Sequence, residues 1–282
     1  MGAVPDDARI PPGPCFAAQL GHYLRMKLQF SEYRSDYGNY LFPYVIWGYP
    51  EAHESPADCF REGFLPGNRD MSRYYMCRHT RVDLAKFEHS SENRRIMRKG
   101  AGLTSRLIPS SEFDYTPHWR GFCRSYADHR FGKGVMSDER LDSLFNSPVC
   151  SHLIHYQHET SGEDVGLVVC FLQKPRAAFY YYAFYDLDLF SKSPGLFMMT
   201  TTVQRFQEMG FDHVYLGSCY SRNALYKSQF KGFEFWNGFR WSQNIKELKF
   251  MIGRDQENVH QHLLETPEYI ESYYPEGINP LP

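Results

Sequence analysis

Apolar and polar positions along the chain alternate between two rhythms, one of helical period and one of short runs suited to strands. "SPADCFREGFLPG" (55–67) predicts a short helix opened by Ser55 and Pro56 and stopped near Gly67. "YYMCRHTRVDLAKF" predicts a strand leading into a loop. "SSENRRIMRKG" predicts a basic two-turn helix capped by Ser90 or Ser91 and ended by Gly100. "PHWRGFCRSYADHRFG" spaces Trp119, Phe122 and Tyr126 for an amphipathic helix, and "DERLDSLFNSP" for a shorter one. "SHLIHYQHE", "GLVVCFLQ" and "AAFYYYAFYD" are apolar and aromatic runs parted by turn residues, which predicts an antiparallel meander. "GLFMMTTTVQRFQEMG" then places Leu196, Phe197, Val203, Phe206 and Met209 on one helical face, with Gly210 after its end. "DHVYLG" and "GFEFWNGFRW" return to strand. These changes divide the chain into an N-terminal arm (1–30), a small α/β region (31–110), a larger domain (111–250) and a C-terminal extension (251–282). The class is α+β.

Composition fits a globular chain: 42% of the 282 residues are apolar and 23% charged. Aromatics reach 17%, with 21 Tyr and 22 Phe, so flat side chains must pack the strands and line a site. A net charge of −2 confines any RNA contact to a local patch. The seven cysteines form no CxxC pair and no disulfide framework, which predicts a reduced, cytoplasmic protein. The opening residues carry neither a signal-peptide nor a myristoylation pattern, and no run approaches 18 apolar residues, so no membrane span is expected. His152, His155 and His158 cannot converge on a metal from one strand, because His155 points away from the other two. Cys170 and Cys219 read as small buried residues rather than nucleophiles.

The order of helices, three strands, helix and strand is similar to the core of the GNAT acyltransferases, where two splayed strands make a slot for an acyl donor. Acetyl-CoA members open the main helix with a Gly-rich turn that holds pyrophosphate. Here "SKSPGLF" has the single glycine Gly195, which points to a different acyl carrier.

From about Ser35 to Trp241 the chain resembles the aminoacyl-tRNA–protein transferases, the arginyltransferases and the bacterial aspartate/glutamate leucyltransferases. "RVDLAKFEHSSENRRIMRKG" resembles the family's Q-R-R-x-x-R-R segment, with Asn93 for Gln, Lys99 for the last Arg, and Arg94, Arg95 and Arg98 matching. "YADHRFGKGVM" keeps Tyr126, Arg130, Gly134 and Met136 of Y-x-x-x-R-H-x-x-G-x-M, with Phe131 where His is usual. "AFYDLDLFSKSPGLF" keeps Phe184, Tyr185, Asp186, Asp188, Gly195 and Phe197 of F-Y-D-P-D…S-L-G-T-F, with Leu187 for Pro. "VYLGSCYSRNALYKSQFKGFEFWNGFRW" keeps Tyr215, Gly217, Tyr226, Lys227, Phe230, Asn237, Gly238 and Trp241, with Lys231-Gly232 for Arg-Pro. The arginyltransferases' cysteine pair is missing: Ser35 and Gly38 stand there, and Cys77 alone resembles the second group, so no metal cluster is expected.

The resemblance implies a GNAT-like catalytic domain. It implies transfer of Leu or Arg from aminoacyl-tRNA, the co-substrate, to the α-amine of a protein beginning with Asp or Glu, a tag for degradation, with no other cofactor. The missing cysteines and the length lean towards the leucyl branch. Asp186, beside Tyr185, is the candidate proton acceptor or holder of the donor's α-ammonium; alternatively it caps a turn, or it is purely positional while the tRNA ribose hydroxyl takes the proton. Tyr226, Lys227, Lys231, Arg240, Gly195 and Phe230 are expected to hold the tRNA 3′ end and aminoacyl group. Arg94, Arg95, Arg98 and Arg130 are expected to hold the acceptor's carboxylate, and a guanidinium fork suits phosphate equally. Transfer to a small-molecule amine, a non-catalytic RNA- or protein-binding module and an acetyl-CoA enzyme are the alternatives.

Overall fold

The computed structural model describes residues 26–32, 36, 38, 43–257 and 260–278; the expected arm up to residue 25, Cys15 and Ser35 lie outside the described residues. Among these residues there are two sheets. The smaller is built from β1 (Lys27–Glu32), β2 (Tyr44–Tyr49), β3 (Phe64–Pro66) and β4 (Tyr74–Met76), in the order β1-β2-β4-β3. Helix α1 (Pro56–Arg61) links its second and third strands.

The larger sheet contains eight strands in the order β12-β11-β5-β10-β9-β8-β7-β6. They are β5 (His79–Asp83), β6 (Leu103–Pro109), β7 (His152–His158), β8 (Asp164–Gln173), β9 (Ala177–Tyr185), β10 (His213–Ser218), β11 (Phe233–Trp236) and β12 (Trp241–Ser242). All neighbours are antiparallel except β9 and β10, which helix α5 (Pro194–Glu208) connects as a crossover. The remaining helices are α2 (Ser91–Lys99), α3 (Pro117–Phe131), α4 (Asp138–Phe145), α6 (Ile245–Arg254) and α7 (Pro267–Tyr273). The architecture is α+β, a mixed, mostly antiparallel sheet with helices.

The meander, α3, α4, α5 and β10 stand where the hydrophobic rhythm places them. Ser90 caps α2: its Oγ accepts from the Asn93 backbone N–H at 3.1 Å, and the Asn93 side chain accepts from the Ser90 N–H at 3.0 Å. Two expectations need correction. The helix from Ser55 ends at Arg61, because Phe64 and Leu65 are buried in a strand paired with Tyr75 and Met76. "YYMCRHTRVD" forms two strands in different sheets, broken at Cys77 and Arg78. Residues 79–109 thus supply β5 and β6 to the large sheet.

One buried apolar cluster runs from the small sheet through α3, α4 and α5 to Phe230. A second joins α6, α7 and β11 through Phe235, Leu248, Ile252 and Tyr269. Glu247 lies within it, 1% exposed. Its carboxylate accepts hydrogen bonds from the Asn237 amide at 2.9 Å, Tyr269 at 2.6 Å, Tyr274 at 2.8 Å and Ser242 at 2.5 Å. Four donors on one buried carboxylate bind the C-terminal helices to the β11–β12 turn.

Candidate active site between the parted strands

Strands β9 and β10 face each other at only two residue pairs, Ala178–Val214 and Phe179–Tyr215. Beyond these, each strand follows its other neighbour: β9 stays with β8 as far as Tyr185–Gly166, and β10 with β5 as far as Ser218–His79. Both are irregular at the parting. The register skips Tyr181 in β9 and Leu216 in β10, so each strand carries one residue without a cross-strand partner. The strands open like a V.

The V is the floor of a cleft of about 960 Å³. Its walls include Tyr75, Tyr126, Tyr180, Tyr181, Tyr182, Tyr185 and Tyr226, with the start of α5 at one side and the end of α3 at another. Helix α5 begins with Ser193 in the left-handed region (φ 55°), followed by Pro194 and Gly195, so its N-terminal dipole end borders the cleft. Gly195 is required by contact: a Cβ there would lie 2.7 Å from the Tyr185 ring. Tyr126 reaches the same ring from α3, with centroids 4.6 Å apart at 63°. Burial, and then hydrogen bonding with Tyr185, push the Tyr126 phenol above its ordinary range, while the Arg130 cation opposes the shift.

Among the described residues, the cleft's charged walls are two cations, Arg130 and Lys227; no Asp, Glu or His lines it. Lys227 is held by a hydrogen bond from Nζ to the Ser218 carbonyl at 2.9 Å. Burial pulls its pKa below the usual lysine range, with the Cys219 and Cys77 thiols opposing. Gly217, with φ +80°, turns the end of β10 beneath it, and a Cβ there would stand 3.7 Å from Nζ. Tyr226 at the mouth is 47% exposed, beside a half-buried charge.

The expected site residues therefore divide. Tyr185, Gly195, Tyr226, Lys227 and Arg130 meet at the cleft. Asp186 is not one of its walls: its backbone N–H donates to the Val165 carbonyl, and its carboxylate accepts from the Asp188 N–H at 2.9 Å, the turn-capping arrangement. Phe230 is buried against Phe87, Lys231 pairs with Glu88, and Arg240 stacks on Tyr274 at 4.2 Å. On α2, Arg94 donates to the His89 carbonyl at 2.6 Å and Arg95 pairs with Glu92 at 2.7 Å; with Arg98 they form an exposed face away from the cleft walls. His155 binds Asp164 at 2.6 Å and His152 lies near Ser151 at 3.0 Å, on opposite faces of β7 as their spacing requires. The sequence puts Tyr180 to Tyr182 mostly in core and sheet with one ring facing the slot, and keeps Tyr126 as a motif residue without a site role; which rings face the cleft depends on the irregularity at Tyr181.

No family model matches the chain. Curated relatives do. It is 31% identical over 171 residues to the aspartate/glutamate leucyltransferase of Ruegeria pomeroyi, covering 58% of this chain and 61% of that protein. It is 30% identical to the leucyltransferase of Methylorubrum populi, covering 55% of this chain and 67% of that one. The chain belongs to the aminoacyl-tRNA–protein transferase family. The match to the Alkalilimnicola ehrlichii leucyltransferase is longer, at 25% identity over 205 residues, 68% of this chain and 84% of that protein. The aminoacyl-tRNA–protein transferase from Ruegeria is thus spanned over about three fifths of its length. Among solved structures, L-PGS from Bacillus licheniformis aligns at TM-score 0.40 and 16% identity over 51% of this chain and 46% of its own. FemX aligns at TM-score 0.39 and 12% identity over 57% of this chain and 56% of its own.

Proposed function

We propose that this transferase moves leucine from charged tRNA to the N-terminal α-amine of a protein beginning with Asp or Glu. The observation that carries this reading is the charge of the cleft, two cations and no carboxylate among its described walls. An arginyl donor would bring a third cation beside Arg130 and Lys227 with no carboxylate among the described walls to pair it, which is costly, whereas a leucyl side chain meets aromatic rings. The acceptor's acidic side chain and the donor's terminal phosphate are the anions those cations take, Arg130 the carboxylate and Lys227 the phosphate. Tyr226 offers its exposed face to the terminal base.

An aminoacyl ester is already activated, so positioning supplies most of the rate and no further cofactor is required. The neutral α-amine attacks the ester carbon, and the carbonyl electron pair moves onto oxygen. When the carbonyl re-forms, the bond to the ribose oxygen breaks. That oxygen leaves with the proton the amine gives up, so peptide bond and uncharged tRNA are the products. The six described cysteines, all free and buried, suit a reducing cytoplasm, and no helix among the described residues is long and apolar enough to cross a membrane.

Incubation with radiolabelled leucyl-tRNA or arginyl-tRNA and a peptide starting with Asp, or its Ala-start control, tests the reading. Label should pass from leucyl-tRNA to the Asp peptide alone. Preferred arginine transfer, or no peptide labelling, would sink it.

A further inference from the structure

Tyr156 and Tyr180 are buried on the same face of the large sheet, since Cys170 pairs with both His152 and Tyr180, and Tyr156 is four residues along β7 from His152. Their hydroxyls are treated differently. That of Tyr156 is saturated by α5, through the Met198 carbonyl at 3.0 Å, Thr201 Oγ1 at 2.8 Å and Thr202 Oγ1 at 3.1 Å. That of Tyr180 has no hydrogen-bond partner among the described residues, although the residue is only 6% exposed. Leaving a buried hydroxyl unpaired costs about 1–3 kcal/mol, and a cleft is where a ligand can return that cost. Tyr74 and Tyr115 also bury unpaired hydroxyls, but neither lines the cleft, whereas Tyr180 stands in its wall one residue before the unpaired Tyr181.

We propose that the Tyr180 hydroxyl donates a hydrogen bond to the carbonyl oxygen of the aminoacyl ester and stabilises the negative charge that grows there during attack. This assignment rests on the transfer reading above. Three points support it. Burial raises the Tyr180 phenol far above its ordinary range, so it stays a proton donor at neutral pH. Its place where the two strands part is where an ester threaded into the V must end. The cleft's two cations, Lys227 and Arg130, are given above to the donor's phosphate and the acceptor's carboxylate, so neither is left for the ester oxygen. The phenol keeps its proton throughout; the amine's proton still leaves on the ribose oxygen.

Tyr180→Phe is the test, because it removes one oxygen that makes no hydrogen bond among the described residues. Thermal unfolding should be unchanged or shifted upward, a result opposite to that of a structural hydroxyl. Steady-state transfer from leucyl-tRNA to the Asp-start peptide should lose about 10²–10³-fold in kcat, with KM for leucyl-tRNA within about threefold of the parent. An unchanged kcat, or a raised KM with kcat retained, overturns the assignment while leaving the transfer reading intact. Absence of transfer by the parent protein removes the reading itself, and the assignment with it. Should the variant not fold, a ring-fluorinated tyrosine at position 180 supplies the same readout: a changed kcat at constant KM supports the hydrogen bond, and an unchanged kcat overturns it.

Discussion

Gly195 lies against the ring of Tyr185, so close that a single added methyl would sit 2.7 Å from a ring carbon. The contact fixes where α5 begins relative to the end of β9, and therefore the width of the cleft between them. Gly195→Ala should force Tyr185 and its neighbour Tyr126 aside. We expect a loss of about 1–3 kcal/mol in urea unfolding and at least about tenfold lower transfer. Full activity with unchanged stability would mean that the ring relaxes freely.

Asp186 caps a turn in this structure, and an amide can accept the same hydrogen bond from Asp188. Asp186→Asn should therefore keep transfer within about threefold of the parent, since positioning and the leaving ribose carry the reaction. Loss of activity by a factor of a thousand in a folded variant would restore the carboxylate as proton acceptor.

Lys227 gives a pH signature. Burial lowers its pKa below 10.5, so the charged form is disfavoured by folding. Between the lowered value and the unfolded one the unfolded chain holds the extra proton, and stability conferred by this residue rises with pH. Below that window the burial penalty is fully present. In Lys227→Met the dependence disappears, so the parent should gain stability relative to the variant as pH climbs from 7 towards 10.5. Chemical denaturation across that range measures the difference; a gap that stays constant would place Lys227 in water.

Glu247 accepts from Asn237, Ser242, Tyr269 and Tyr274. Glu247→Ala strands four buried donors and should cost at least about 3 kcal/mol, whereas Glu247→Gln keeps the shape and should cost less. Limited proteolysis should then release α7 first from the alanine variant. Equal resistance of both variants would show that apolar packing alone holds this segment.

The elements with strong periodicity were legible in the sequence. Trp119, Phe122 and Tyr126 mark α3, and Leu196 to Met209 mark α5, because each packs one face on the sheet and the pattern records that burial. Strand β6 was not, since "LTSRLIP" sets three polar residues in a row and ends in Pro109, which breaks the alternation of a strand, and at the open edge of the sheet only one neighbour pairs with it. The break at Cys77 was hidden because both halves of that segment are strand; only the partners differ. At the site, Tyr185, Gly195, Tyr226 and Lys227 were readable from motif order, but Lys231 and Arg240 were assigned by chemistry, and the pairings with Glu88 and Tyr274 are long-range. Asp186 looked like a reactive carboxylate because no local pattern distinguishes a group aimed into a cleft from one folded back onto its own turn.

With only two residue pairs between β9 and β10, the eight strands amount to two half-sheets of four, hinged along a seam two rungs wide. An acyl-tRNA end lodged in the opening would touch both leaves at once. The ligand would then serve as the missing rungs, and amides along the seam should exchange with solvent more slowly once it is seated.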